Sequence, residues 1–425
     1  MRIAFPIVLS NATVPILGAV DTGVVGQMGL AAPIGAVGMG AIILASVYWI
    51  FGFLRMGTSG LAAQAHGAGD HAESGAVLVR GLAVAGAAGL LLIALQAPLI
   101  WGAFRIAPAS AEVEGMARQY LAIRIWGAPA TIALYAVTGW LVALERTRGV
   151  LLLQLWMNGL NIGLDLWFVL GLGWGVPGVA VATLIAEFSG LALGLWLCRG
   201  AFAGGAWANR ARLLALAPLR RMLAVNTDIM IRSVLLQSCF TSFLFLGAGF
   251  GDVTLAANQI LLQFLEITAY ALDGFAIAAE TLVGQAVGAR RVAGVRRASV
   301  VTSQWAALGS LTLAALFWAT GPVLIDLMAT APEVRAEARA FLPWLILAPP
   351  IAVASYMLDG IFIGATLTRE MRNAMVLSVG VFAAAVMVLL PVFANHGLWA
   401  ALLVLNATRG LTMALRYPRA EVAAA

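Results

Sequence analysis

Eight carboxylates sit inside stretches of this sequence that are otherwise apolar: Asp21, Asp165, Glu187, Asp228, Glu266, Asp273, Glu280 and Asp359. An ionisable side chain at the middle of a bilayer costs at least about 2.5 kcal/mol on insertion scales, so each is a candidate for function. Four arginines, Arg55, Arg124, Arg232 and Arg409, occur in comparable surroundings, which leaves an acidic surplus. Carboxylates around a shared cavity draw in cations and protons and repel anions. The low dielectric also brings their titration towards the working pH. A proton-linked carrier of cations needs both properties.

The spacing of these residues says which can act together. Gln154, Asn158, Asn161 and Asp165 follow one another at steps of 4, 3 and 4, which puts all four on one helical face. In a membrane bundle that face must turn inward, because lipid offers the amides and the carboxylate no partner. A structural hydrogen-bonded seam between helices is the alternative for such a row. Asp21 shares its stretch with Pro6 and Pro15, each of which removes a backbone donor, so a bendable helix is expected there. Asp21 and Asp165 can meet and share a proton, as close carboxylates do. Glu266, Asp273 and Glu280 are seven apart and form an acidic stripe preceded by Asn258 and Gln259, and Tyr356 and Asp359 are three apart on one face. Asp228 and Arg232, four apart, have the spacing of a self-neutralising intrahelical ion pair. Glu187 has no partner in its own stretch.

The elements that must hold these residues follow from composition. Of 425 residues, 62% are apolar and 10% charged, with a mean hydropathy of +0.97. A soluble fold carries roughly 25% charged residues, so a polytopic membrane protein is expected, and disordered, coiled-coil and disulfide-scaffold classes are excluded. Twelve apolar stretches of about helix-spanning length fall near 4–26, 33–59, 76–104, 114–141, 149–172, 176–199, 217–248, 253–281, 297–325, 335–362, 372–392 and 397–416. Alternating the loops between two sides puts seventeen arginines on one and four, Arg105, Arg118, Arg335 and Arg339, on the other. The positive-inside rule then makes both termini cytoplasmic. The net charge of +6 is accounted for in this way, so no nucleic-acid partner is expected. The first apolar run lasts to Gly26 with Asp21 inside it, which reads as a retained helix rather than a cleaved signal. Cys198 and Cys239 form no C-x-x-C pair, and His66, His71 and His396 form no H-E-x-x-H, so neither a metal site nor an intramembrane metalloenzyme is readable.

The second half repeats the first at one offset. Gln64-Ala65-His66-Gly67-Ala68 pairs with Gln285-Ala286-Val287-Gly288-Ala289 (285 − 64 = 221), and the same shift pairs Tyr120-Leu121 with Phe341-Leu342 and Pro129 with Pro350. Six helices per repeat keep both copies in one orientation, the parallel-repeat organisation of some transporters. The expected units are an amino-terminal six-helix lobe over 1–199, a cytoplasmic linker over 200–216 and a carboxy-terminal six-helix lobe over 217–425.

Several segments, in order along the chain, carry a family resemblance. Among them are Val20-Asp21-Thr22-Gly23-Val24-Val25-Gly26, Asn158-Gly159-Leu160-Asn161-Ile162-Gly163-Leu164-Asp165, Asn226-Thr227-Asp228-Ile229-Met230-Ile231-Arg232, Ala271-Leu272-Asp273-Gly274-Phe275 and Leu358-Asp359-Gly360-Ile361-Phe362. In these the chain resembles the multidrug and toxic compound extrusion (MATE) family, within it the DinF (DNA-damage-inducible protein F) branch. The resemblance implies an all-α fold with two six-helix lobes in a V shape, in a bacterial cytoplasmic membrane. It also implies export of amphipathic, often cationic compounds by a monomer, against inward proton or sodium flow and with no other cofactor. Residue by residue, it places the proton or cation site at Asp21, Asn161, Asp165 and Thr183, where sodium could also bind weakly, and links bending of the first helix to Pro6. Gln154, Asn158, Asn258, Gln259, Asp273, Tyr356 and Asp359 are expected to line the substrate cavity. Tyr356 and Asp359 resemble part of a second-lobe cation site of the sodium-coupled branch. The seventh-helix glutamate of that site is missing, with Gln237 and Ser238 in its region, so coupling through protons in the first lobe is the expectation. Sodium-coupled drug efflux and a flippase of lipids or lipid-linked precursors from the same superfamily are the alternatives, the flippase to be reopened by Arg124 and Arg409 facing the central cleft.

Overall fold

An apolar segment that leaves water must bond every backbone N–H and C=O internally, and helices satisfy that within one segment. The computed structural model describes residues 3–27, 31–107, 109–203, 205 and 209–425, with the side chains of 11–19, 21, 22 and 31 outside that description. The described residues form helices and turns, with no strand among them. Two compact units divide the chain, one over 1–66 and 70–222, the other over 67–69 and 223–425.

The first unit contains α1 (Ala4–Gly26), α2 (Ala31–Ile50), α3 (Phe53–Gly67), α4 (His71–Ala94), α5 (Gln96–Ile106), α6 (Ala111–Arg124), α7 (Ala128–Ala143), α8 (Thr147–Asp165) and α9 (Gly175–Leu197). Two short helices, α10 (Gly200–Ala203) and α11 (Arg210–Leu213), occupy the linker. Then come α12 (Leu216–Ala248), α13 (Asp252–Gly288), α14 (Val292–Met328), α15 (Pro332–Gly364), α16 (Thr368–Ala414) and α17 (Pro418–Val422). Pairs such as α2 with α3, or α6 with α7, are single spans interrupted by a turn, so each unit carries six spans and the fold is an all-α polytopic membrane protein. Nine helices among the described residues are long and apolar enough to cross a membrane. Several overrun the apolar stretches, as α3 does through Gln64 and His66, because a helix continues for a turn or two after its sequence has become polar.

The repeat is visible in the backbone. α4, α6 and α8 begin at His71, Ala111 and Thr147, and α14, α15 and α16 begin 221 residues later at Val292, Pro332 and Thr368. Positive φ recurs at the same shift: Gly69 (74°) with Arg290 (53°), Glu145 (58°) with Thr366 (54°), and Gly173 (69°) with Ala394 (49°). One close backbone approach recurs as well. A Cβ on Gly139 would collide with the Arg55 carbonyl, and one on Gly360 would collide with the Ala276 carbonyl, the equivalent pair.

Ala394 divides α16 into 368–393 and 395–414, so that this long helix supplies the two last spans. Gly397 lies against the Leu389 backbone, where no side chain fits, so the segments on either side of Ala394 approach closely. Asn395 locks the break by exchanging amide hydrogen bonds of 2.9 and 3.0 Å with Asn258 of α13, whose Oδ1 also accepts from Trp399 Nε1 at 2.9 Å.

The linker is docked on the first unit rather than loose. Arg80 of α4, 5% exposed, donates to the carbonyls of Arg212 and Leu213 at 2.7 and 3.0 Å, satisfying the end of α11. Asp70 caps α4 by accepting from the Glu73 amide at 2.9 Å and also takes Arg212 Nη1 at 3.0 Å. The Glu73 amide, and then Arg212, hold the Asp70 carboxyl below its ordinary range.

Candidate functional site

In the first lobe, α8 packs along α1 and α9. The face predicted from spacing is the enclosed one: Asn158, Asn161 and Asp165 are 7%, 1% and 0% exposed, and Gln154 is half-buried. Leu152, Leu155 and Trp156 occupy the opposite, exposed face. Gln154 Nε2 donates to Asn158 Oδ1 at 3.1 Å, and Asn161 Nδ2 donates to Thr183 Oγ1 on α9 at 3.0 Å. The Thr183 hydroxyl donates its own hydrogen bond to the Val179 carbonyl at 2.9 Å. Asp165 closes the row at the last residue of α8, where the helix widens into a π-helical turn over Leu166–Gly171. Such turns break the regular bonding pattern and recur at functional sites. The amides and a fully enclosed carboxylate thus share one side of α8, with the Thr183 hydroxyl of α9 bonded to that row at Asn161, groups chemically able to hold a proton or a small cation.

Asp21 and Pro15 have side chains outside the described residues. Pro6 is the third residue of α1, in the turn whose N–H groups have no helical acceptor, so its missing donor breaks no bond.

Several acids of the spans have arginine partners that sequence spacing did not give. Glu187 of α9 takes a two-point contact from Arg124 of α6, at 2.7 and 2.9 Å, both side chains being 9% exposed. Gly127 makes room for that carboxylate, since a Cβ there would strike it. The expected intrahelical pair of Asp228 with Arg232 is overturned. Arg232 bonds Asp359 of α15, while Asp228 accepts from Arg372 of α16 at 2.6 Å and from the Thr368 hydroxyl at 3.2 Å. The physical reason is position. Asp228 stands at the first turn of α16, where the helix dipole favours a carboxylate, whereas Arg232 lies a turn farther along α12, beside Asp359.

The second-lobe cluster therefore sets arginines on Asp359, the residue that resembles part of the sodium-coupled branch's cation site. Asp359 Oδ2 accepts from both Arg232 and Arg409, the latter at 2.6 Å, and Arg409 Nη1 also reaches Asn406 Oδ1 at 3.0 Å. Asp359 Oδ1 and Arg232 Nε are buried without a hydrogen bond. Asp273 and Tyr356, both half-buried, act electrostatically on the two guanidiniums. Two arginines on one carboxylate oxygen leave no anionic surplus at Asp359. Asn258 is 0% exposed and its amide bonds Asn395 and Trp399. Gln259 and Glu266 lie on exposed faces of α13, and Glu280 is 1% exposed.

The MatE family model matches residues 6–167 and 229–389. Over 427 residues the chain is 38% identical to DNA damage-inducible protein F of Escherichia coli (strain K12), covering 98% of this chain and 91% of the relative. It is 28% identical to a probable multidrug resistance protein NorM of Pseudomonas aeruginosa over 77% of this chain and 68% of the relative. Among solved structures, a MATE in complex with MaD3S superposes with a TM-score of 0.84 at 20% identity, covering 99% of this chain and 95% of that one. A MOP superfamily transporter from Pyrococcus furiosus, described as having a binding pocket of reverse polarity, superposes with a TM-score of 0.86 at 18% identity, over 100% and 95% of the two chains.

Proposed function

The chain belongs to the MatE family of multidrug efflux transporters, and on that premise we propose that it is a secondary antiporter exporting amphipathic cations in exchange for protons. The observation that carries the reading is Asp165, a carboxylate with no exposure, at the end of a row of amides and beside the Asn161–Thr183 bond. Glu187, Asp228 and Asp359 are each paired with an arginine, and breaking such a pair in the membrane interior is costly, which favours a structural part for these three. Asp165, with Asp21 as its expected companion, alternates between a protonated and a substrate-bound form. A proton arriving from outside neutralises the pair and loosens a bound cation. It biases the conformational equilibrium only by its different affinity for the two states. Both termini lie in the cytoplasm and the protein works as a monomer in the inner membrane.

The test is dye export by purified protein in liposomes under an imposed pH gradient or an imposed sodium gradient. Export driven by the pH gradient, and lost in Asp21→Asn and in Asp165→Asn, is the expected result. Full pH-driven export by either variant would sink its role, and export driven by sodium alone would replace the coupling ion.

Arg232 and Arg409 favour a second reading, carriage of an anionic amphiphile, since two guanidiniums face the single carboxylate of Asp359. Competition of dye export by anionic but not cationic amphiphiles distinguishes it.

A further inference from the structure

A groove of about 520 Å³ opens in the second lobe between α14, α15 and the carboxy-terminal segment. Its mouth is formed by Arg296, Tyr417 and Glu421, with Arg296 gripping the Glu421 carboxylate at 2.7 and 3.0 Å. Ser299, Ser303 and Gln304 continue down one face of α14 to Ala307, and Leu358 and Ile361 of α15 make an apolar floor. From Arg296 to Ala307 the helix rises roughly 16 Å, about the hydrocarbon depth of one leaflet.

The internal repeat provides a control for this feature. Ser299, Leu358 and Ile361 correspond, at the shift of 221, to Leu78, Val137 and Trp140 of the first lobe, which are 0%, 0% and 2% exposed and fill that lobe's core. Arg296 and Glu421 correspond to Gly75 and Gly200. Ser299, Leu358 and Ile361 are themselves only 4%, 9% and 2% exposed, so what distinguishes the two lobes at this place is charge: the second lobe has Arg296 and Glu421 where the first has glycines. In addition, the Ser299 and Tyr417 hydroxyl oxygens, both on residues that line the groove, are buried without a hydrogen-bond partner.

We propose that this groove binds one anionic phospholipid, its phosphate on Arg296 in place of Glu421, its glycerol region beside Ser299 and Ser303, and an acyl chain on Leu358 and Ile361. The charge favours this occupant: Arg290, Arg291, Arg296 and Arg297 crowd the same end of α14, the end that the arginine bias predicts to be cytoplasmic. Arg296 is the only one of the four at the groove mouth, and it is also the one engaged by a carboxylate from the carboxy-terminal segment. Lipid binding therefore frees α17 from α14, while the contacts of Glu370 with Arg416 and Arg419 hold the segment's other side on α16.

The experiment titrates delipidated full-length protein in detergent with phosphatidylglycerol, phosphatidylcholine or inorganic phosphate and counts bound lipid by native mass spectrometry. Arg296→Gln is expected to weaken phosphatidylglycerol binding about fivefold, the scale of one basic residue at an anionic surface, with phosphatidylcholine unaffected. Glu421→Gln removes the internal competitor and is expected to strengthen phosphatidylglycerol binding. These opposite shifts cannot both come from misfolding. Unchanged binding in both variants, equal weakening of both lipids, or full competition by inorganic phosphate without retained acyl selectivity overturns the proposal. None of these readouts depends on the coupling ion or the exported compound.

Discussion

At the scale of single residues, what decides behaviour is how each charge in the membrane is matched. Arg124 and Glu187 match one another completely, and Gly127 leaves the space that lets them do so. Removing one partner strands the other in a low dielectric, which costs about 3 to 5 kcal/mol, whereas replacing both with apolar groups of similar size is near neutral. Glu187→Gln is therefore expected to lower the thermal unfolding midpoint in detergent sharply, and Arg124→Met with Glu187→Leu to recover most of the loss. A double variant as unstable as the single one would show that the pair contributes more than self-compensation. The second-lobe cluster has one carboxylate oxygen shared by two guanidiniums, so Asp359→Asn leaves Arg232 and Arg409 facing each other. That substitution is expected to be more destabilising than Arg409→Gln, which leaves the Arg232–Asp359 pair intact. Thermal midpoints of the two variants in one detergent check the order.

At the scale of elements, breaks in helices matter more than the helices themselves. Ala394 holds a positive φ that the first repeat assigns to Gly173. A side chain in that region costs roughly 1 to 2 kcal/mol, so Ala394→Gly is expected to raise stability by about 1 kcal/mol, read as a higher unfolding midpoint. An unchanged or lower midpoint would mean that the bonds from Asn395 to Asn258 already fix the break. The linker is the other informative element. Its docking rests on Asp70 as an anion, held below its ordinary range by the Glu73 amide and then Arg212. A lowered carboxylate stabilises its partners fully above the ordinary aspartate value of about 3.9, and the contribution disappears as pH falls through the lowered value. Limited proteolysis of the linker is accordingly expected to be slow at neutral pH, to accelerate only under strongly acidic conditions, and to be fast at neutral pH in Asp70→Asn. The spans were legible in the sequence because apolar length and arginine bias report them directly. The contact of Asp70 with Arg212 and the break at Ala394 were not, since they depend on a neighbour 142 residues away and on a backbone angle that alanine does not advertise.

At the scale of the whole molecule, the backbone repeats and the charges do not. Starts of helices, positive φ positions and the glycine contacts of Gly139 and Gly360 recur after 221 residues, yet Asp165 corresponds to Val386, Glu187 to Thr408, and Asp359 to Thr138. The repeat was readable from Gln64-Ala65-His66-Gly67-Ala68 and its copy, and the row ending at Asp165 was readable because its members share one helix. The partners of Glu187, Asp228 and Asp359 were not, because they come from other helices, 63, 144, 127 and 50 residues away, where periodicity carries no information. One ancestral scaffold thus holds two different polar interiors, an amide and carboxylate row in the first lobe and an arginine-locked carboxylate in the second. If the first is the coupling site and the second a structural lock, the two respond differently to neutralisation. Asp165→Asn is expected to keep the unfolding midpoint within a few degrees and to abolish the dependence of dye export on the pH gradient. Asp359→Asn is expected to lower the midpoint, while whatever folded protein remains exports dye with an unaltered dependence on the gradient. Transport normalised to folded protein in liposomes, measured for both variants over a series of imposed gradients, separates these outcomes. Loss of gradient dependence in Asp359→Asn rather than in Asp165→Asn would move the coupling site to the second lobe.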